Sequence, residues 1–333
     1  MNKEILKELA RRIRFHGVAK ITRGDQVVWE EAFGKACVEF DIDNTTKTLF
    51  RIASVSKQIT AALVLKLHEQ GRLSIDSSIR SYFPDYPNAN QITIHHLLSN
   101  SSGIPNFDLS ADFYPAFHRD DYFQGLVDMF KDLPVRFAPG HAYEYSNSGY
   151  LLLSRIVELV TEKPFEEALR THLFEPLGMT YTGFDHWKEI VLGKAFPYDL
   201  QDQTMVRAEA IDLRIAAGGG ALYSNLSDLS KWNDALYSHR ILSKEITDMM
   251  LTPKVRINET THYGYGMFLE TSERDGRRIV RHYHSGGGPG VRSINAVYPE
   301  KRLSIIVLSN VNDRRAFLEF LDALERFALD DLT

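Results

Sequence analysis

The chain holds a single cysteine, Cys37, among 333 residues. One thiol excludes both an intrachain disulfide and a thiolate metal cluster, so Cys37 reads as a small, buried or half-buried side chain. No apolar run approaches the ~18 residues that span a bilayer. The first residues, MNKEILKELARRIRF, lack the uninterrupted apolar core of a secretion signal. As given, the chain reads as cytoplasmic, with export expected only where a leader precedes it. A basic run is missing too. Net charge is −5, and the densest cluster, Arg11, Arg12 and Arg14, shares a solvated helix face with Lys3, Glu4, Lys7 and Glu8. That pattern excludes nucleic acid as an expected partner.

What remains is ordinary for a folded protein: 44% hydrophobic and 25% charged residues. Residues 3–13 carry a helical period, and two β-rich runs, Gly17 to Thr22 and Gln26 to Phe33, flank a hairpin turn at Arg23-Gly24-Asp25. Apolar residues at Ile59, Leu63 and Leu67 predict a helix from Ser56 to Gln70, stopped by Gly71. Further helices are predicted from Tyr150 to Val160 and from Leu226 to Leu236 in a middle region poor in strands. After it come strands at Tyr263 to Glu270, Arg278 to Tyr283, Ser293 to Tyr298 and Leu303 to Leu308, with turns at Asp275-Gly276 and Pro299-Glu300-Lys301. A helix from Arg314 to Leu329 closes the chain.

Both ends therefore supply strands and helices, and one antiparallel sheet joins them most economically. The expected fold class is α/β (α+β): an antiparallel sheet of five or more strands flanked by terminal helices. Residues 1–53 and 251–333 form that sheet domain, and residues 54–250 an inserted, mostly helical domain. The active site is expected in the cleft between them.

Three stretches carry chemistry. In Arg51-Ile52-Ala53-Ser54-Val55-Ser56-Lys57, Ser54 stands at a helix start with Lys57 one turn on. At that spacing the two side chains share a face and can share a proton, and the helix N-terminus favours developing negative charge. A serine there also serves as a plain helix cap, so the pair alone does not decide. In Tyr143-Glu144-Tyr145-Ser146-Asn147, Tyr145 and Asn147 lie two apart in a loop ahead of a helix. A phenol can relay a proton where cations lower its pKa, and an amide can hold a substrate carbonyl and a lysine together. A structural tyrosine is the plainer account, and Tyr86-Pro87-Asn88 repeats the spacing in a surface turn.

The third stretch, His284-Ser285-Gly286-Gly287-Gly288-Pro289-Gly290, leaves a predicted strand. Gly286 permits close backbone approach, a free edge can take a substrate as an added strand, and the Gly287 amide can join that of Ser54 as an oxyanion hole. A simple glycine-rich hairpin accounts for the same letters.

In this order, S-x-x-K, Y-x-N and H-S-G, the chain resembles the serine β-lactamase and penicillin-binding-protein superfamily, in its class C-like branch. That branch includes class C β-lactamases, D-Ala-D-Ala carboxypeptidases, D-aminopeptidases and family VIII esterases. The resemblance runs through Ile92-Thr93-Ile94-His95-His96-Leu97-Leu98, Ser101-Ser102-Gly103, Pro176-Leu177-Gly178-Met179 and Ala217-Gly218-Gly219-Gly220. It implies Ser54 as nucleophile, Lys57 as its proton partner, Tyr145 as general base then acid, and Asn147 as a substrate-positioning amide. His284, with Ser285, Gly286 and Gly287 on the substrate strand, takes the place of the lysine in K-T-G.

A histidine there is a pH-dependent cation, so anionic substrates are expected to be preferred more at pH 6 than at pH 8. Strong β-lactamase activity is not expected. The function implied is hydrolysis of peptide-like amides of the D-Ala-D-Ala carboxypeptidase or D-aminopeptidase type, through an acyl-enzyme. A family VIII-type esterase or weak class C-like β-lactamase is the near alternative, and a catalytically silent peptidoglycan-binding sensor the distant one. Expected ligands are a small molecule or peptide, with β-lactams as possible acylating agents. No cofactor or metal is expected: His95-His96 lacks a third ligand, and His68-Glu69 is followed by Arg72 where a zincin has its second histidine. G-x-S-x-G is absent as well.

Overall fold

The computed structural model describes residues 3–107, 122–186, 188–274 and 276–330. One sheet dominates. Its strands in chain order are β1 (Gly17–Arg23), β2 (Gln26–Phe33), β3 (Val255–Arg256), β4 (Thr261–Tyr263), β5 (Phe268–Arg274), β6 (Arg277–Gly288), β7 (Val291–Tyr298) and β8 (Leu303–Ser309). They are ordered β3-β4-β5-β6-β7-β8-β1-β2, every neighbouring pair antiparallel. The sheet is thus sewn from both ends of the chain, the α/β class with a large antiparallel sheet expected above.

The centre of the sheet shows why. All seven residues of β8 are buried, and they alternate between two cores. Leu303, Ile305 and Val307 face one that includes Trp29, Phe33 and Phe320, while Ile306 and Leu308 face the other. A strand covered on both faces reads as a continuous apolar run, as Leu-Ser-Ile-Ile-Val-Leu-Ser does. The first core is closed by α1 (Lys3–Arg12) and α5 (Arg314–Asp330), with Leu6, Ala10, Phe317, Phe320 and Leu324 turned inward. The second is closed by α2 (Ser56–Glu69), α3 (Asn147–Thr161) and α4 (Leu226–Tyr237). From Ser56 to Leu65 every residue of α2 is buried, so it is the hub of the helical layer.

Two expectations need correction. The predicted strand from Tyr263 to Glu270 is broken into β4 and β5, because Gly264 and Gly266 turn the chain between them. The Gly264 N–H donates to Met267 O at 2.9 Å. At Gly266, φ is +72° and a Cβ would stand 2.6 Å from the Lys57 carbonyl oxygen, so only glycine fits. Short strands that the sequence pattern hid are also present, a three-stranded ribbon in which Phe50–Arg51, ahead of the middle region, pairs with Leu222–Ser224 and that strand with Gly183–Phe184, and a hairpin of Tyr198–Gln201 with Thr204–Arg207. Of the predicted turn at Asp275-Gly276, Asp275 lies outside the described residues. Among the described residues no helix is long and apolar enough to cross a membrane.

Candidate active site

Ser54 lies on a short 3-10 turn, Ala53–Val55, ahead of α2. It is not the helix cap, since Val55 holds that position and makes no side-chain capping bond. Ala53 takes a left-handed φ of 45°, a conformation that costs a residue with a Cβ about 1–3 kcal/mol. Neighbouring bonds hold it there. The Ile52 N–H donates to Leu222 O at 2.9 Å, Ser293 Oγ donates to Ile52 O at 2.7 Å, and Ser56 Oγ donates to Ala53 O at 2.7 Å. Strand β6 presses on the same turn: a Cβ on Gly286 would lie 2.4 Å from Ile52 O and 3.0 Å from Ala53 Cβ.

The Lys57 ammonium is fully buried. It donates to Asn147 Oδ1 at 2.7 Å, to Gly219 O at 2.7 Å and, more weakly, to Ser54 Oγ at 3.4 Å. Three acceptors match the three donors of a charged ammonium, which offsets its desolvation. Tyr145 reaches in from the opposite side, its hydroxyl donating to Ser54 Oγ at 2.6 Å and its ring centroid 4.6 Å from Lys57 Nζ. A nearby cation favours phenolate over phenol, so this arrangement lets Tyr145 receive the serine proton while Lys57 stays charged.

Asn147 corrects one expectation: it is the first residue of α3, not a loop residue. Its backbone N–H, one of the donors a helix start leaves without an internal partner, is taken by Asn106 Oδ1 at 2.7 Å. That bond fixes the amide that grips Lys57.

Beyond Tyr283, which pairs with Phe268, β6 has no strand partner on the β5 side among the described residues. Residues 284–288 therefore form a free edge backed by β7. Side chains alternate along it, with His284 and Gly286 buried and Ser285 and Gly287 exposed. Ser54, Tyr145, His284, Ser285, Gly286 and Gly287 line one cleft of about 430 Å³ with Phe268, Arg292, Ser293, Arg314, Phe317 and Leu318.

The expected pH-dependent cation at His284 is overturned. The ring is 1% exposed, and burial together with the Lys57 charge depresses its pKa to about 3. It is neutral at both pH 6 and pH 8, so it cannot supply the anticipated trend. The cations that do line the cleft are Arg292 and Arg314, which sequence reasoning passed over. Arg292 could have been found, because the hairpin of β6 and β7 places it opposite Gly287. Its Nε donates to Asn312 Oδ1 at 2.7 Å. Desolvation, and after it the Arg314 charge, lower its pKa against the opposing carboxylates of Asp199 and Asp313. Arg314, exposed at the start of α5, carries no local signal. Among the described residues no group of three His, Cys, Asp or Glu side chains is disposed to hold a metal ion.

A family model described as "Beta-lactamase" matches residues 3–329. Penicillin-binding protein 4* of Bacillus subtilis is 30% identical over 329 residues, covering 92% of this chain and 70% of that protein. A penicillin-binding protein from Bacillus halodurans superimposes with a TM-score of 0.86 at 28% identity, covering 98% of this chain and 100% of that one. D-amino acid amidase from Ochrobactrum anthropi SV3 gives a TM-score of 0.80 at 28% identity, covering 97% and 98%.

Proposed function

Because this chain belongs to the β-lactamase family and is a serine hydrolase, we propose that it hydrolyses peptide-like amides through a Ser54 acyl-enzyme and favours substrates with a free carboxylate on the leaving-group side. This is activity of the D-Ala-D-Ala carboxypeptidase type. The observation that carries it is the pair Arg292 and Arg314 in the cleft of Ser54 and Tyr145, beside a histidine that stays neutral. A carboxylate in this cleft is attracted by both guanidiniums.

The mechanism follows from the contacts. Tyr145, in the phenolate form that the neighbouring Lys57 cation favours, takes the Ser54 proton across 2.6 Å as the oxygen attacks the substrate carbonyl, and so becomes the phenol. The backbone N–H groups of Ser54 and Gly287 receive the oxyanion. Tyr145 then returns the proton to the departing amine, and the same group activates water against the acyl-enzyme. The substrate backbone lies along the free edge of β6 as an added strand. A D-amino acid amidase of similar fold supports a D-residue at the scissile bond.

The test compares kcat/KM for a D-alanyl-D-alanine peptide with that for its C-terminal amide. The free acid is expected to be preferred, and Arg292→Ala and Arg314→Ala are each expected to shrink the preference about tenfold, roughly 1.4 kcal/mol. Equal turnover of acid and amide, unchanged in both variants, overturns the carboxylate assignment. Mass spectrometry after a fluorophosphonate or a penicillin tests the acyl-enzyme separately: an adduct is expected on Ser54, and one elsewhere removes it as nucleophile.

A further inference from the structure

The buried His284 poses a question that the mechanism leaves open, because its two ring nitrogens are both engaged. Nδ1 lies 2.7 Å from the carbonyl oxygen of Ser285, and Nε2 lies 3.1 Å from the hydroxyl of Tyr263 on β4. A carbonyl oxygen only accepts, so the bond to Ser285 requires the proton on Nδ1. In a neutral ring Nε2 is then an acceptor, and Tyr263 must donate to it. Solvated imidazole side chains favour the opposite arrangement, with the proton on Nε2. Something in the fold must select this one.

We propose that Tyr263 is a positioning residue, whose hydroxyl holds His284 in the Nδ1–H tautomer and thereby fixes the Ser285–Gly286 peptide at the entrance to the free edge of β6. Tyr263 is fully buried. Its neighbour Tyr150 donates to Leu98 O at 2.9 Å, so Tyr150 has no proton left for Nε2, and its oxygen stands as a second acceptor beside Tyr263, with which it shares a hydrogen bond. The 3.1 Å contact with Nε2, an acceptor in the Nδ1–H ring, gives the Tyr263 proton its place on His284. The Tyr263 ring is wedged between Phe268 at 4.9 Å and Tyr143 at 5.5 Å, centroid to centroid. The other polar or charged groups facing His284 are Tyr145, with ring centroids 6.1 Å apart, the Lys57 ammonium on α2, and Asn295 opposite it on β7. Tyr263 thus acts through His284 and the strand on which Gly287 is carried, and the inference rests on the reading that this strand is where substrate binds.

The experiment uses the whole protein labelled with ¹⁵N-histidine, the His284 resonances being assigned by their loss in His284→Asn. The wild type is expected to show the Nδ1–H tautomer at pH 7. Tyr263→Phe keeps the ring and removes the donor to Nε2 together with the bond to Tyr150. The bond to Nε2 favours the neutral ring, so its loss is expected to redistribute the tautomers and raise the pKa of His284 by roughly one unit or more. In kinetics, the acidic limb of kcat is expected to move to higher pH in Tyr263→Phe. Adding His284→Asn, which keeps an N–H near the Nδ1 position but cannot titrate, should return the limb to its wild-type place. A role in packing alone would lower the Tm and move neither tautomer nor limb. An Nε2–H tautomer in the wild type overturns the proposal, a result that stands even where Tyr263→Phe fails to fold. Unchanged tautomer and pH profile in a folded Tyr263→Phe overturn it equally. Because the resonance needs no substrate, failure of this proposal is distinguishable from failure of Ser54 to take a fluorophosphonate.

Discussion

A serine hydroxyl keeps its proton near neutral pH, so the reactivity of Ser54 has to come from the side chains that touch it. Those are Tyr145 at 2.6 Å and Lys57 at 3.4 Å. Ser54→Ala is expected to abolish ester and amide hydrolysis and fluorophosphonate labelling while leaving the fold intact, because the hydroxyl caps no helix. Circular dichroism and labelling check both halves, and retained turnover would reject Ser54. Lys57→Ala and Tyr145→Phe should each slow acylation by about a hundredfold or more. The double variant should be little worse than either single one, since both serve one proton transfer. Losses that multiply would assign them to separate steps. Lys57→Ala should also lower the Tm, because it strands the half-buried Asn147 and the buried Gly219 acceptors.

At the scale of elements, the site exists because β6 outruns β5 and lies directly on the Ser54 turn. Gly286 is the contact point. An alanine there would put its Cβ 2.4 Å from Ile52 O and 2.3 Å from Ser293 Oγ, so β6 must move away from the turn. Gly286→Ala is expected to cut kcat/KM at least tenfold and to destabilise the protein by several kcal/mol, at the large end for point substitutions. Gly71→Ala is the control: Gly71 follows α2 with φ of 69° and nothing within 4 Å, so it should cost about 1 kcal/mol with kcat unchanged. Equal effects of the two on activity would deny the close approach its role. Local pattern made much of this legible. The period of α2, the alternation in β1 and β2 and the glycines at 286 and 287 sit in short windows, and their elements stand close to where the sequence reading put them. The burial of His284 was not legible, because it depends on Tyr263, Phe268 and Lys57, which arrive from three other elements. The cationic wall was hidden for the same reason: Arg314 reaches the cleft only through the packing of α5 against the sheet.

At the scale of the whole molecule, packing several histidines away from water makes stability depend on mild acid. His284 and His282 are depressed to about 3 and about 4 respectively, both chiefly by burial, and His282 Nδ1 is 3.0 Å from the Tyr237 hydroxyl. Burial also lowers His16, His95, His96 and His172. The sign is set by where protons bind. Between pH 6.5 and the depressed folded values, the unfolded chain takes up protons that the folded chain refuses, so stability rises with pH across that window. It is complete above pH 6.5 and is lost as pH falls, at about 1.4 kcal/mol per pH unit for each fully excluded proton. Carboxylates do not confuse the upper part of the window, because Glu39 and Glu167 lie below their ordinary 4.5 and contribute only in stronger acid. Lys7, Lys35 and Arg281 are raised from values above 10 and act only in alkali. The urea midpoint is therefore expected to hold between pH 8 and pH 7 and to fall steeply from pH 6.5 to pH 5. His282→Asn, which removes one of these groups, should be less stable at pH 7 through lost packing yet show a shallower fall toward pH 5. A midpoint flat from pH 7 to pH 5, or a slope unaltered by His282→Asn, would show that these rings do not carry the acid sensitivity of the fold.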